Sequence, residues 1–225
     1  MPKFTHLHVH SHYSLLDGLS RIKPLVKTAK ERGFDALALT DSGVLYGAIE
    51  FYKTCLENEI KPIIGMEAYI GSKNTDKKYY SLILLAENYA GYKNLIKLCS
   101  YGHTNGFNGE RPLIDKETLK KYSQNIIALS GDIAGEVPTL LKQGKRLEAE
   151  AAACEYGNIF GADNFYLELQ DHQAIPGQME VNAKMIDLAK AADIPLVVTR
   201  DVHYLASEDA EAQDILLCIR DGVRV

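Results

Sequence analysis

Two short segments hold pairs of side chains that can bind a metal ion. The sequence His-Val-His occupies residues 8–10, and Asp-Val-His occupies residues 201–203. In an extended strand alternate side chains share a face, so each segment presents two metal-competent groups on one side and a valine on the other. Because two such pairs must be explained together, they favour a metal site assembled from distant parts of one sheet.

Other acidic and imidazole side chains lie within or just after predicted strands and are further candidates. They are Asp17, Asp41, Glu67, Asp132, Asp171 and His172. A mixed set of histidines and carboxylates suits zinc, manganese or iron more than calcium, and it suits sites with more than one ion. Paired ions polarise a phosphoryl group and lower the pKa of an attacking water from about 16 to about 7. The candidate chemistry is therefore phosphoester hydrolysis.

Each candidate also has a structural interpretation. A single histidine at a strand end is more often a hydrogen-bonded structural residue than a ligand, and aspartates at strand ends commonly cap the next helix. Asp41 precedes Ser42 and Gly43 and could be such a cap. Both roles stay open for Asp41.

Short apolar runs separated by helical segments indicate how these residues are positioned. The predicted strands are Phe4–Val9, Ala36–Thr40, Pro62–Ile70, Leu82–Ala86, Ile126–Leu129, Phe165–Leu169 and Pro195–Thr199. The predicted helices are Ile22–Arg32, Val44–Asn58, Tyr89–Tyr101, Arg146–Phe160, Gln178–Ala192 and Glu208–Cys218. Such alternation implies an α/β fold of parallel βα units. A succession of them without a Gly-rich dinucleotide fingerprint favours a closed barrel, with an open doubly wound sheet as the alternative.

Composition limits the possible partners and location. The 225 residues are 46% hydrophobic and 24% charged, which is ordinary for one large globular domain. The formal charge of -5 argues against a free-standing DNA-binding module, although an acidic pocket could still admit one phosphodiester through bound cations. We find no membrane-spanning run and no signal peptide, and the four cysteines are far apart, so we expect a cytoplasmic protein with reduced thiols.

The sequence resembles the PHP domain, the polymerase and histidinol phosphatase module, and in particular the amino-terminal segment of bacterial DNA polymerase III alpha subunits. The matching motifs are His6–Ser14 with Leu16–Gly18, Thr40–Tyr52, Lys61–Glu67, Leu82–Ala86 with Gly91–Leu95, and Asp201–Tyr204. The resemblance runs from Phe4 to Arg220. It implies a distorted TIM-like barrel of seven βα units. We expect residues 1–225 to form one PHP domain, with 219–225 beginning a linker to a polymerase region.

The resemblance also implies a set of metal ligands. Six positions match the family pattern: His8, His10, Asp17, Glu67, Asp201 and His203. Ser42 and Ser81 stand where many relatives have histidine, and Asp132 stands where a cysteine or histidine is expected and could still bind a hard ion. Serine hydroxyls bind zinc weakly, so we expect Zn²⁺ or Mn²⁺ at partial occupancy or not at all.

Four further residues are predicted around these ligands: Asp41, Glu50, His172 and Arg200. Arg200 stands where relatives usually have a small polar residue. Its guanidinium, which is always charged, could neutralise nearby carboxylates in place of an ion. The alternative is that Arg200 points to solvent.

These observations favour a mainly structural or docking module of a replicative DNA polymerase. The parent chain would be a DNA-directed nucleotidyltransferase. The expected partners are the rest of the alpha chain, a proofreading exonuclease subunit and other replisome subunits, with DNA contacted only through the full-length protein. One alternative is a metal-dependent 3′ to 5′ exonuclease that uses the retained ligands. Another is a stand-alone phosphatase, against which the polymerase-like stretch Tyr46–Tyr52 argues.

Overall fold

The computed structural model describes residues 4–71 and 79–224. Its helices are α1 (Ile22–Glu31), α2 (Ala48–Glu57), α3 (Tyr89–Thr104), α4 (Lys116–Lys121), α5 (Glu136–Lys142), α6 (Arg146–Phe160), α7 (Gln178–Ala192) and α8 (Ala210–Asp221). Its strands are β1 (Ala36–Leu39), β2 (Lys61–Gly71), β3 (Tyr79–Ala86), β4 (Leu113–Ile114), β5 (Ile126–Leu129), β6 (Phe165–Gln170) and β7 (Leu196–Thr199). The chain divides into two compact units, one of residues 1–66 with 201–225 and the other of residues 67–200.

The first unit packs α1 and α2 around a short parallel ladder. Residues Ala36–Leu39 of β1 pair in parallel with Lys61–Ile64 of β2. The helix α1 buries Ile22, Leu25, Val26 and Ala29, which recur at the three- and four-residue spacing of one helix face. They join a core that contains the fully buried Phe51. Truncating Phe51 to alanine would cost about 3 to 5 kcal/mol.

The predicted strand Phe4–Val9 is not a regular strand in the structure. The amide of Ala38 donates to the His6 carbonyl at 2.9 Å, and the amide of Thr40 donates to the Val9 carbonyl at 2.8 Å. These bonds are two residues apart on β1 but three residues apart on the partner segment, so one extra residue interrupts the ladder. The segment therefore makes only isolated bridges, at His6 and Val9.

The second unit has the strand order β2–β3–β5–β6–β7, with β4 paired to β2. The pairs β5–β6 and β6–β7 are parallel, as the alternation of strands and helices predicts. The pair β3–β5 is antiparallel, so the expectation of uniformly parallel strands is wrong at β3. Residues 72–78 connect β2 to β3, and a parallel crossover needs about a dozen residues or more.

The remaining differences from the predicted elements are small. The helices α4 and α5 are absent from the sequence prediction, because six or seven residues contain too few turns to give a periodic pattern. At the C-terminal end α8 continues to Asp221, so that residues 219–221 of the expected linker are helical. Within residues 4–71 and 79–224, no helix combines the length and apolar character needed to cross a bilayer.

Candidate metal centre

Three imidazole nitrogens surround one carboxylate oxygen in the first unit. The Nε2 atoms of His8, His10 and His203 lie 3.1, 3.2 and 3.1 Å from Oδ1 of Asp201. The side chains of His8 and His10 are almost completely buried. The structure thus brings two predicted pairs, from opposite ends of the sequence, to a single point.

Backbone hydrogen bonds between the two segments create this convergence. The amide of Val202 donates to the His8 carbonyl at 3.1 Å, and the amide of His10 donates to the Val202 carbonyl at 2.7 Å. This parallel bridge aligns Val9 with Val202, and Val9 is completely buried in the apolar core. Because side chains alternate, the residues on both sides of Val9 face the site instead. Asp201 has a left-handed backbone with φ 48°, a conformation that aspartate tolerates better than most residues.

A chain of hydrogen bonds behind His10 determines which ring nitrogen carries the proton. Oγ of Ser14 donates to Oδ1 of Asp41 at 2.7 Å, which uses the single hydroxyl proton. The 2.9 Å contact between Nδ1 of His10 and Oγ of Ser14 must therefore be donated by the imidazole. Asp41 is buried and also accepts the backbone amide and the hydroxyl of Ser11, at 2.7 and 2.8 Å. In neutral His10, Nε2 then carries a lone pair.

His203 has the same arrangement from a different partner. Its Nδ1 lies 3.1 Å from the backbone carbonyl oxygen of Asp17, which can only accept. The Nδ1 of His203 is therefore the donor, and in the neutral ring Nε2 carries the lone pair. The ring also stacks on His10, with centroids 4.4 Å apart and planes within 7°. An outward N–H held by an oxygen acceptor is the usual arrangement of a metal-binding histidine.

The donor set fits a divalent cation. A lone pair on Nε2 repels the carboxylate oxygen that it faces, so the arrangement requires positive charge between them, either a proton on the ring or a shared cation. Burial alone would raise the pKa of Asp201, but the charge of His8 and the hydrogen bonds of His10 and His203 hold that pKa well below its usual range. Burial lowers the pKa of His203, but the hydrogen bond and charge of Asp201 outweigh it, and the pKa is raised.

Asp17 lies beside this cluster and pairs with an arginine. Its Oδ1 accepts a hydrogen bond from Nη1 of Arg220 at 2.5 Å, and its Oδ2 lies 3.7 Å from Nδ1 of His203. Within residues 4–71 and 79–224, two groups of side chains have donor atoms within 4.8 Å of one another. They are His8, His10 and Asp201 in the first group, and His10, Asp17 and His203 in the second. The structure therefore contains a possible metal-binding group with histidine and aspartate donors.

Ser42 and Glu50 belong to the same unit and contact other residues of its opening motif. Oγ of Ser42 lies 3.2 Å from Nδ1 of His10, the outer ring nitrogen. Glu50 lies on α2 and accepts a hydrogen bond from the Tyr13 hydroxyl at 3.3 Å. The negative charge of Glu50 raises the pKa of Tyr13.

The other predicted site residues lie in the second unit. Oε2 of Glu67 accepts a hydrogen bond from Tyr69 at 3.3 Å. Oγ of Ser81 donates to Oδ1 of Asp132 at 2.5 Å, so that these two positions bind each other. His172 is half-buried, and its backbone carbonyl accepts from the amide of Ile175 at 3.0 Å.

Arg200 is exposed, and its Nη1 donates to the backbone carbonyl of Asp171 at 3.2 Å. In the first unit, Arg220 contacts the carboxylate of Asp17, which is a predicted ligand.

Ser14, Gln213 and Arg220 contact predicted ligands of the first unit, although the sequence alone assigned them no role. Ser14 lies within the opening motif, so its position four residues after His10 gave a usable signal. Gln213 and Arg220 are about 200 residues from Asp17, and nothing in the local sequence indicates their contacts with it.

Comparison with known families identifies the relatives of this chain. The PHP domain matches residues 6–172. The chain is 47% identical to DNA polymerase III subunit alpha of Treponema pallidum, over 96% of this chain and 19% of that protein. It is 42% identical to the same subunit of Thermus aquaticus, over 97% of this chain and 18% of that protein. The chain thus spans about a fifth of the length of these relatives.

Solved structures show the fold. A candidate metal-dependent phosphoesterase from Bifidobacterium adolescentis superimposes with a TM-score of 0.61 at 11% identity, covering 91% of this chain and 89% of that one. A two-domain protein from Bacteroides vulgatus with a predicted PHP-like metal-dependent phosphoesterase gives a TM-score of 0.56 at 13% identity, covering 91% and 53%. The fold class is α/β, of the distorted TIM-like barrel type, as the motifs predict.

Proposed function

Since this chain belongs to the PHP domain family, we propose that it is the PHP module of a bacterial replicative DNA polymerase alpha chain. Its role there is mainly structural, and it retains only part of the metal site. The similarity to alpha subunits over nearly the whole chain supports the first statement. The arrangement of the ligand positions supports the second.

The main support for a retained cation site is the convergence of three Nε2 atoms on Asp201. His8, His10, Asp201 and His203 would hold one Zn²⁺ or Mn²⁺, because imidazole nitrogen with carboxylate oxygen suits both ions. Such an ion supplies Lewis acidity toward a phosphoryl oxygen and toward water. The chain itself orients the rings, through Ser14 behind His10 and the Asp17 carbonyl behind His203.

Some of the predicted ligand residues are already paired with other side chains. This pairing supports the proposed loss of the remaining cation sites. Ser81 and Asp132 share a hydrogen bond, so the Asp132 carboxylate already has a donor. Asp17 is neutralised by Arg220, which supplies a positive charge without an ion. Serine hydroxyls at positions 42 and 81 would add little affinity for zinc or manganese. We therefore propose fewer cations than the complete family pattern would bind.

The partners in this proposal follow from the relatives. The first partner is the rest of the alpha chain, since the relatives are about five times longer than the matched region. A proofreading exonuclease subunit and other replisome subunits are further proposed partners. The net charge of -5 suits a module that meets DNA only through the full-length protein. The proposed location is the cytoplasm, where bacterial replication takes place.

A second candidate function is metal-dependent removal of nucleotides from a 3′ end. The group His10, Asp17 and His203 favours it, because a second cation beside the first would complete a paired site for a phosphodiester. In that case Asp17 would offer the ion Oδ2, which lies 3.7 Å from Nδ1 of His203, while Arg220 binds Oδ1. The histidines would then position the ions, and no side chain need act as nucleophile.

Metal analysis combined with a primer-degradation assay tests the proposal. The purified 225-residue chain and its Asp201→Asn variant are loaded with Zn²⁺ or Mn²⁺, and bound metal per chain is measured. We expect the unaltered chain to bind a cation, the variant to lose it, and degradation of a labelled primer to be the same for both proteins. Chelator-sensitive degradation that disappears in Asp201→Asn would reject the structural role and establish the exonuclease.

A further inference from the structure

We infer that Arg220 competes with a divalent cation for the carboxylate of Asp17, and so limits how many cations this centre binds. The inference rests on the proposed cation site but concerns a residue outside the predicted ligand set. It makes the last turn of α8 a control element of the centre, since Arg220 lies in that turn.

The guanidinium of Arg220 is held between two carboxylates. Its Nη1 lies 2.5 Å from Oδ1 of Asp17, and its Nε lies 2.8 Å from Oδ1 of Asp221. The Asp17 side chain is only 23% exposed, so its charge is partly shielded from water. An arginine is charged at every accessible pH, which means that it cannot release Asp17 by losing a proton.

The loop that carries Asp17 is held in place independently of this ion pair. Nε2 of Gln213 donates to the Asp17 carbonyl at 2.5 Å, and the amide of Leu19 donates to the His203 carbonyl at 2.9 Å. Gln213 and Arg220 are seven residues apart on α8, and therefore lie on one face of the helix. With the backbone held, removing the arginine changes the partner of the Asp17 carboxylate and leaves its position intact.

Arg220 binds Oδ1 of Asp17, whereas Oδ2 of the same carboxylate lies 3.7 Å from Nδ1 of His203. In the second group, Asp17 offers a donor atom close to those of His10 and His203. A cation bound to Oδ2 would share one carboxylate with the positive guanidinium, and the two charges repel each other. Such a cation binds well only if Arg220 moves away, and losing a partly exposed ion pair lowers the apparent affinity by roughly twofold to fivefold. Asp17, one of the residues that match the family's ligand pattern, is thus already paired with another side chain of the same chain.

The test measures cation binding by Arg220→Gln. Zn²⁺ and Mn²⁺ are titrated separately into the 225-residue chain by calorimetry, and metal bound per chain is measured after gel filtration. We expect Arg220→Gln to bind either ion roughly twofold to fivefold more tightly at its weakest site, or to bind more ions per chain. The matched control is Arg224→Gln, which removes the same charge from an exposed position near the same helix end and should behave like the unaltered chain.

Two further variants make the test decisive. Arg220→Lys keeps the positive charge and should stay close to the unaltered chain, whereas Asp17→Asn combined with Arg220→Gln should lose the gain. If the unaltered chain binds a cation and Arg220→Gln binds it no better, the inference fails while the proposed site stands. If neither protein binds a cation, both are rejected. If only Arg220→Gln binds one, competition is established and the cation site of the unaltered chain is rejected.

Discussion

The predicted metal ligands of the first unit and those of the second unit differ in whether their side chains need added positive charge. In the first unit, the Nε2 atoms of His10 and His203 face Asp201 with their outer nitrogens already used. In the second unit, Ser81 donates directly to Asp132. The histidine cluster needs positive charge at its centre, whereas the serine and aspartate form a neutral donor and charged acceptor that satisfy each other.

This contrast supplies a physical reason for the proposed loss of cations from a fold that is otherwise retained. Replacing an imidazole by a serine removes a ligand and also supplies a hydroxyl donor for the nearest carboxylate. A carboxylate that accepts such a bond no longer needs a cation for stability. Among the residues that the structure describes, no hydroxyl donates to Oδ1 of Asp201, and the histidine cluster therefore depends on protons or metal.

The largest effect should come from the carboxylate at the centre of the histidine cluster. We expect Asp201→Asn to weaken Zn²⁺ or Mn²⁺ binding by at least about 100-fold, because loss of a ligand should exceed the cost of losing its supporting residues. Calorimetric titration measures it. The matched variant in the second unit, Asp132→Asn, should change the affinity by less than about twofold. Equal losses in both variants would make Asp132 a ligand and remove the contrast.

Loss of the hydroxyl that contacts Nδ1 of His10 should have the next largest effect on cation binding. Ser14→Ala removes the nearer of two hydroxyl oxygens beside Nδ1 of His10, at 2.9 Å against 3.2 Å for Ser42. We expect cation affinity to fall between about 10-fold and 100-fold. The control is Ser20→Ala, because Ser20 is also buried and its Oγ makes no hydrogen bond within the described part of the chain. A similar fall in both variants would mean that general destabilisation, and not ring orientation, explains the result.

Lowering the pH should weaken cation binding. The weakening should begin at a pH above the ordinary pKa of histidine. A proton on Nε2 of His203 must leave before that atom can bind a cation, and the pKa of His203 is raised. As pH falls through this pKa, affinity should decrease by roughly tenfold for each pH unit per released proton. Titrations at a series of pH values measure the slope. A decrease that begins only below about pH 5 would identify carboxylates rather than histidines as the controlling ligands.

The smallest effect should come from the pair in the second unit. Ser81→Ala leaves Asp132 without its hydroxyl donor, and we expect the free energy of unfolding to fall by about 1 kcal/mol. Urea unfolding in the presence of a chelator measures it, with Ser123→Ala, an exposed hydroxyl that bonds the Lys120 carbonyl, as the control. Cation affinity should not change. A tenfold loss of affinity in Ser81→Ala would show that the pair orients a ligand.

Local patterns predicted much of the fold. Alternation of apolar runs and helical segments gave six of the strands and the long helices to within a few residues, because period and end signals are local properties. The same patterns could not show the extra residue between His6 and Val9 or the reversed direction of β3. Both depend on pairing partners that are distant in sequence.

The site was only partly accessible to the same reasoning. The spacing of His8 with His10 and of Asp201 with His203 predicts shared faces, and the structure shows all four side chains at one point. Their role as ligands stays a prediction, as does that of Glu67. For Arg200 the sequence left two roles open, neutralisation of carboxylates and exposure to solvent, and it gave no indication that Arg220 contacts Asp17.

By itself the sequence determined which donor atoms this protein possesses and which of them alternate onto a common side of an extended segment. Only the tertiary structure decided that Nε2, and not Nδ1, of His10 and His203 faces Asp201, and that Asp17 is already paired. The physical reason is distance. Side-chain identity and alternation act over a few residues, whereas proton positions and charge neutralisation depend on atoms within about 3 Å that come from residues nearly 200 apart in the chain.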